Sequence, residues 1–192
     1  VRYRVMNMVN TPMMLFGFSN NQVNNDYFGL YINPVTNTIG FDGNASAFEL
    51  SKRALSLNDE KYASQGISVA DTEWHTVTVT KTEDAIHIYI DGQHVDQWTG
   101  ANVEPGFLNT VNNANSIGIG CVDRNTGNEM PLQGAVDIVK VYNSALSEAD
   151  IQQEHAQTTW TAGEEVDMSN AHKSDPYDLY YSGYNGSSAY RI

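Results

Sequence analysis

Short apolar runs recur along this chain with a period of two, and the clearest pair lies in its middle. Val77 and Val79 alternate with Thr76, Thr78 and Thr80, and Ile86, Ile88 and Ile90 alternate with His87 and Tyr89. Each run predicts a strand with one apolar face. Asp91-Gly92 separates the isoleucine run from His94-Val95. A two-residue type I′ turn needs positive φ at both central positions, which Asp-Gly tolerates, so a hairpin is predicted there.

Upstream, residues 2–10 (RYRVMNMVN) and 13–18 (MMLFGF) are apolar runs too brief for three helical turns and predict two buried strands. Residues 27–32 (YFGLYI), ended by Asn33-Pro34, and 38–42 (TIGFD) predict two more, and 47–50 (AFEL) a weaker one before the polar segment 51–68. Downstream, 101–114 reads as a loop, 116–121 (SIGIGC) as a strand, 123–131 as a polar loop and 135–142 (AVDIVKVY) as the last strong strand. Glycine costs strand stability, so its repetition in 116–121 predicts that another chain or a ligand closely approaches that face. Ser147 with Asp150 three positions on forms an N-cap signature, flanked by Leu146 and Ile151 at hydrophobic-staple positions, and predicts a short helix to about His155. Eight or more short strands with one small helix make an all-β sandwich the natural architecture. Periodicity vanishes over 158–174, which reads as a linker.

Composition narrows the function classes. Ten Lys and Arg stand against 23 Asp and Glu, a formal net charge of −13 over 192 residues. Without a basic patch this charge repels nucleic acid and anionic bilayers. No window approaches the roughly 20 consecutive apolar residues of a spanning helix, so membrane insertion is not expected. Cys121 is the single cysteine and reads as a small buried hydrophobe. The five histidines show no metal-ligand spacing, and His75, His87 and His94 read as surface or satisfied polar residues. Asp123, Asn125 and Glu129 carry oxygen atoms suited to calcium, but such a mixed loop is usually only polar, and no metal or cofactor is expected. Glu83 and Asp84 are adjacent in a turn, and no Glu-x-Asp-x-x-Glu pattern occurs, so the chain lacks the spaced carboxylates of a glycan hydrolase of this fold.

Two stretches carry a family resemblance. Residues 175–192, DPYDLYYSGYNGSSAYRI, are similar to the start of the catalytic propeller of bacterial exo-sialidases, a DLF-x-x-G-x-x-x-S-x-x-(Phe/Tyr)-Arg-Ile-Pro run. The resemblance implies that Arg191 is a substrate-binding arginine of the full enzyme, and that 175–192 is the truncated start of that domain. Residues 1–157 resemble the family 40 carbohydrate-binding module of sialidases through LFGFSNN, YFGLYIN, TIGFDGN, EWHTVTVT…IYIDGQ, SIGIGCVDR and GAVDIVKVYNSALSEADI in that order. It implies a concanavalin-A-like or laminin-G-like jelly-roll sandwich, sialylated glycans as partners, a sialidase catalytic domain in cis, and a secreted or cell-surface location.

In that family a Glu-x-Arg pair after a Gly-Phe strand and an Arg followed six residues later by a Tyr hold the sialic acid. Carried over, Arg124 matches the second arginine, whereas Asp42 replaces the Glu, Asn44 the first Arg and Met130 the Tyr. A guanidinium suits the role because its planar fork donates two hydrogen bonds to one carboxylate. Arg53 is a candidate replacement for the missing arginine, and Tyr31 for a stacking or hydroxyl contact. The three departures also fit a spacer that has lost sialic acid, or a lectin for another glycan.

Overall fold

The computed structural model describes residues 1–23, 26–43, 53–99, 111, 113–158 and, as backbone, 180–181 and 190–191. The strands are β1 (Arg2–Val5), β2 (Met13–Ser19), β3 (Tyr27–Asn33), β4 (Thr38–Gly43), β5 (Ala54–Ser56), β6 (His75–Lys81), β7 (Ala85–Ile90), β8 (Gln93–Thr99), β9 (Ser116–Ile119), β10 (Val122–Arg124), β11 (Gly127–Glu129) and β12 (Gly134–Ile138). A short helix α1 (Glu60–Ala63) follows β5, and α2 (Glu148–Thr158) follows β12. Two five-stranded antiparallel sheets result, ordered β12-β1-β6-β7-β8 and β5-β4-β3-β2-β9. Cα proximity divides the chain into two compact units, Val1–Thr159 and Trp160–Ile192. In the second, β13 (Tyr180–Tyr181) pairs antiparallel with β14 (Tyr190–Arg191), Tyr180 opposite Arg191.

Strand alternation sends one residue in two into a shared core. Phe18, Phe28, Leu30, Ile39 and Phe41 from one sheet meet Val77, Ile86, Ile88, Ile90 and Val95 from the other. The aromatic members form a continuous series. Phe18 lies 5.6 Å from Phe28, Phe28 stacks on Phe41 at 5.3 Å, and Phe41 meets the edge of Trp98 at 5.5 Å. Such offset and edge contacts add about 0.5–1.5 kcal/mol each beyond area burial.

The predicted hairpin forms, with Asp91 at φ 50° and Gly92 at φ 76° between β7 and β8. His75, at the head of β6, locks it. His75 Nδ1 contacts Asp91 Oδ2 at 2.7 Å and Nε2 contacts Asp71 Oδ1 at 2.8 Å, while Asp91 Oδ1 accepts the Thr76 amide at 2.7 Å. Burial alone lowers the His75 pKa, but the hydrogen bonds and charges of Asp91 and Asp71 outweigh it and raise the value to about 9. Asp91 is likewise pushed up by burial but drawn further down by His75 and the Thr76 amide.

A group whose folded pKa lies above its unfolded value contributes stability that is complete below the unfolded value and lost as pH rises through the folded one. Thermal melts should therefore show a loss of about 1–2 kcal/mol, after solvent screening, between pH 6.5 and 9.5. His75→Asn should flatten that slope. At the acid end the sign reverses: the Asp91 contribution is present above its unfolded pKa and is lost as pH falls through its depressed one.

Several expectations change in detail. The first strand stops at Val5 rather than residue 10, because the Met6 and Asn7 amides both donate to the Gln133 carbonyl, at 2.8 and 3.0 Å, and break the ladder. The last ends at Ile138 rather than residue 142, where its register against β1 runs out at Arg2. Segment 51–68 contributes β5 and α1, the latter seated by buried Tyr62, whose hydroxyl donates to Asp96. The Ser147–Asp150 capping box forms reciprocally, Asp150 N to Ser147 Oγ at 3.2 Å and Ser147 N to Asp150 Oδ2 at 3.1 Å, and α2 runs on to Thr158. The weak strand expected at 47–50 and the loop 101–110 lie outside the described residues. No helix among the described residues is long and apolar enough to cross a membrane.

Candidate functional site

The outer face of the β5-β4-β3-β2-β9 sheet begins from a row of missing side chains. Gly118 of β9 lies opposite Gly17 of β2, Gly17 opposite Gly29 of β3, and Gly29 opposite Asp42 of β4. Along β2, β3 and β4 the neighbours of the row, Phe16, Phe18, Phe28, Leu30 and Phe41, pack into the core, so the row lies on the other side. A β-carbon on Gly29 would stand 2.3 Å from Met14 Sδ, and one on Gly118 would stand 2.2 Å from the Cys121 carbonyl oxygen. The close approach predicted from the glycines of 116–121 is thus made by the chain itself. Gly120, at φ 70°, turns the backbone so that Cys121 and Val122 double back over the sheet.

The returning segment is a hairpin, β10-β11, where the composition predicted only a polar loop. Asn125-Thr126 form its tip, with Arg124 opposite Gly127 and Val122 opposite Glu129. Its seat is a small outer-face cluster of Met14, Tyr27 and Val122, against which Tyr31 and Met130 pack. Asp123 pins it, accepting Asn21 Nδ2 at 2.8 Å and Ser116 Oγ at 2.6 Å, while its carbonyl accepts Ser19 Oγ. Those bonds hold the Asp123 carboxyl below the ordinary carboxylate range.

Four residues singled out in the sequence meet here. The Arg124 guanidinium lies 4.6 Å from the centre of the Tyr27 ring, and its Nη1 donates to Glu129 Oε2 at 2.5 Å. Tyr27 Oη donates to Asp42 Oδ2 at 3.1 Å. Tyr31 and Met130 flank the same cluster. Burial, the Asp42 charge and the Asp42 hydrogen bond raise the Tyr27 pKa to about 12, so the phenol stays a neutral donor. Tyr31 is pushed up as well, by burial and then by Asp42. Arg53 precedes β5, where its carbonyl accepts the Phe41 amide at 2.8 Å, one strand beyond Asp42. Asn44 and the side chain of Arg191 lie outside the described residues.

Tyr27 joins the site without having been read as a binding residue, and Glu129, weighed in the sequence only as a calcium-suited oxygen of a polar loop, joins it through Arg124. Tyr27, Gly29 and Tyr31 occupy alternate positions, and that period places both phenols on the Asp42 face. Asn125-Thr126-Gly127 is a turn signal that folds Glu129 back toward Arg124. Trp74 is half-buried, with the guanidinium groups of Arg2 and Arg4 at 4.5 and 5.1 Å from its ring. Among the described residues no three His, Cys, Asp or Glu side chains converge on a possible metal position. The outer face therefore brings together a guanidinium, two carboxylates and two phenols beside the β10-β11 hairpin. These are hydrogen-bonding groups with aromatic rings beside them, the equipment of sugar recognition.

A family model described as the concanavalin A-like lectin/glucanases superfamily matches residues 9–152. Among solved structures, the chain is similar to the CBM40 of a Ruminococcus gnavus IT-sialidase at 16% identity and TM-score 0.63, over 81% of this chain and 79% of that one. It is also similar to a leech intramolecular trans-sialidase at 17% identity and TM-score 0.63, covering 94% of this chain but 26% of the enzyme. A sialidase of Streptococcus pneumoniae, NanB, matches at 17% identity and TM-score 0.54, over 79% of this chain and 22% of that one. No curated protein sequence matches the chain.

Proposed function

The chain belongs to the concanavalin A-like lectin/glucanases superfamily, and we propose that it is a non-catalytic carbohydrate-binding module that holds a sialidase on sialic-acid-terminated glycans. The carrying observation is the placement of Arg124 on the outer sheet face, held by the β10-β11 hairpin over Tyr27 and beside the carboxylate-bearing edge of β4. A guanidinium so placed suits the carboxylate that distinguishes sialic acid from neutral sugars. Asp42 and the phenols of Tyr27 and Tyr31 are placed for the hydroxyl groups.

The similarity to the Ruminococcus gnavus module, which has been solved with α2,3-sialyllactose and with α2,6-sialyllactose, supports the reading. In the leech and pneumococcal sialidases the matching region is about a quarter of the chain, which agrees with a module joined to a larger enzyme. On this reading residues 158–174 are the linker, 175–192 open a propeller in which Arg191 binds substrate, and the parent works outside the cell. The short Asp42 and apolar Met130 leave fewer polar contacts than the family pattern has, and one lost charge-assisted bond costs about 1.5–3 kcal/mol.

One terminal sugar held by so few groups binds in roughly the millimolar range, and avidity with the catalytic domain makes that useful. Calorimetric titration with α2,3- and α2,6-sialyllactose, with lactose as control, should give saturation by the sialylated sugars alone. Silence up to tens of millimolar contradicts the reading and leaves a spacer. Equal responses to all three sugars point to a lectin for an uncharged glycan.

A further inference from the structure

Arg124 already faces a carboxylate of its own chain. Arg124 Nη1 donates to Glu129 Oε2 at 2.5 Å, and Glu129 Oε1 accepts Thr126 Oγ1. We propose that Glu129 is an internal competitor for the sugar carboxylate: it occupies Arg124 in the empty site and thereby sets the affinity for sialylated glycans. The proposal rests on the sialic acid reading above and adds a residue that works against the ligand rather than for it.

Three features carry it. The ion pair is local, because Arg124 and Glu129 stand on the two strands of one tight hairpin and meet without help from any sugar. Its burial is uneven, with the Arg124 side chain 13% exposed and the Glu129 side chain 36% exposed. The guanidinium is therefore the fixed member, stacked on Tyr27, and the carboxylate is the one on the solvent side that a ligand meets and displaces. The charge balance points the same way. Glu129 contacts the guanidinium directly, and Asp42 stands beyond it on the hydroxyl of Tyr27, so a carboxylate from the ligand enters a neighbourhood that already holds two. A like charge about 5 Å away, at an effective dielectric of about 50 between that of a protein surface and bulk water, weakens binding about tenfold.

Glu129 differs in this from a ligand-binding carboxylate. A binding residue accepts a hydroxyl of the sugar, and its neutral analogue binds less well. A competitor gives the opposite sign. Glu129→Gln keeps the length of the side chain and an oxygen to accept from Thr126, but gives up the charge that holds Arg124.

The test is titration of the native chain and Glu129→Gln with α2,3- and α2,6-sialyllactose and with lactose. The variant should bind both sialylated sugars about tenfold more tightly, with no gain for lactose. Thr126→Val, which keeps both members of the ion pair and removes only the brace on Glu129, should give a smaller gain of about two- to threefold, and matching near-ultraviolet circular dichroism certifies the fold of each variant. If the native chain binds sialyllactose and Glu129→Gln binds it equally or less tightly, the competitor role is overturned while the sialic acid reading stands. If neither protein responds to sialyllactose, the reading itself falls and takes the competitor with it.

Discussion

Arg124→Ala abolishes the response to sialyllactose, an affinity loss of about a hundredfold or more. The arithmetic follows from what the side chain does. Hydrogen bonds to a charged group are worth about 1.5–3 kcal/mol net, and the neighbouring carboxylates of Asp42 and Glu129 then repel the ligand unopposed. From a millimolar starting point such a loss removes binding from any practical range. Arg124→Lys should retain a tenth or less, because a lysine keeps the charge but not the fork that matches a carboxylate. Calorimetry on both variants checks this. Unchanged affinity in Arg124→Ala places the sugar elsewhere. Stability should fall by about 1–2 kcal/mol, since the guanidinium is largely buried on the Tyr27 ring while Glu129, left unpaired, can turn to water.

The second large effect is on the fold, and it links the sheet to the site. Gly118→Ala should destabilise the chain by about 2–3 kcal/mol, because its β-carbon would stand 2.2 Å from the Cys121 carbonyl oxygen and 3.0 Å from its carbon. Both are backbone atoms, which cannot rotate aside as a side chain does. The turn at Gly120 must move instead, and with it the hairpin that carries Arg124 and Glu129. At about 2–4 °C per kcal/mol for a chain of this size, the melting temperature should drop by roughly 4–12 °C. Sialyllactose binding should weaken as well. A native melting temperature would mean that the hairpin is free to slide over β9, and the glycine row would then have no part in placing the site.

The architecture was legible wherever alternation was strong. The β6, β7 and β8 pattern, its Asp-Gly turn and the capped final helix all stand where period and turn chemistry put them. Ends were less so, because a strand stops where its partner does: Ile138 runs out against Arg2, and no property of Val139 to Tyr142 announces it. The site was half legible. Arg124, Asp42, Tyr31 and Met130 come together on one face, yet the glycines of 116–121 were read as room for another chain or a ligand when they are room for Cys121 and Val122. Glu129 was one of several oxygens in a polar stretch until the hairpin register brought it to Arg124. A contact made by backbone doubling back over a sheet leaves little periodic signal to find.

The most direct test of the account is a map of backbone amide shifts during titration of the native chain with α2,3-sialyllactose. Shifts should concentrate at Tyr27, Tyr31, Asp42 and 122–130, saturating together in the millimolar range, with β6 to β8 undisturbed. Shifts centred on β6 to β8, or none at tens of millimolar, would contradict it.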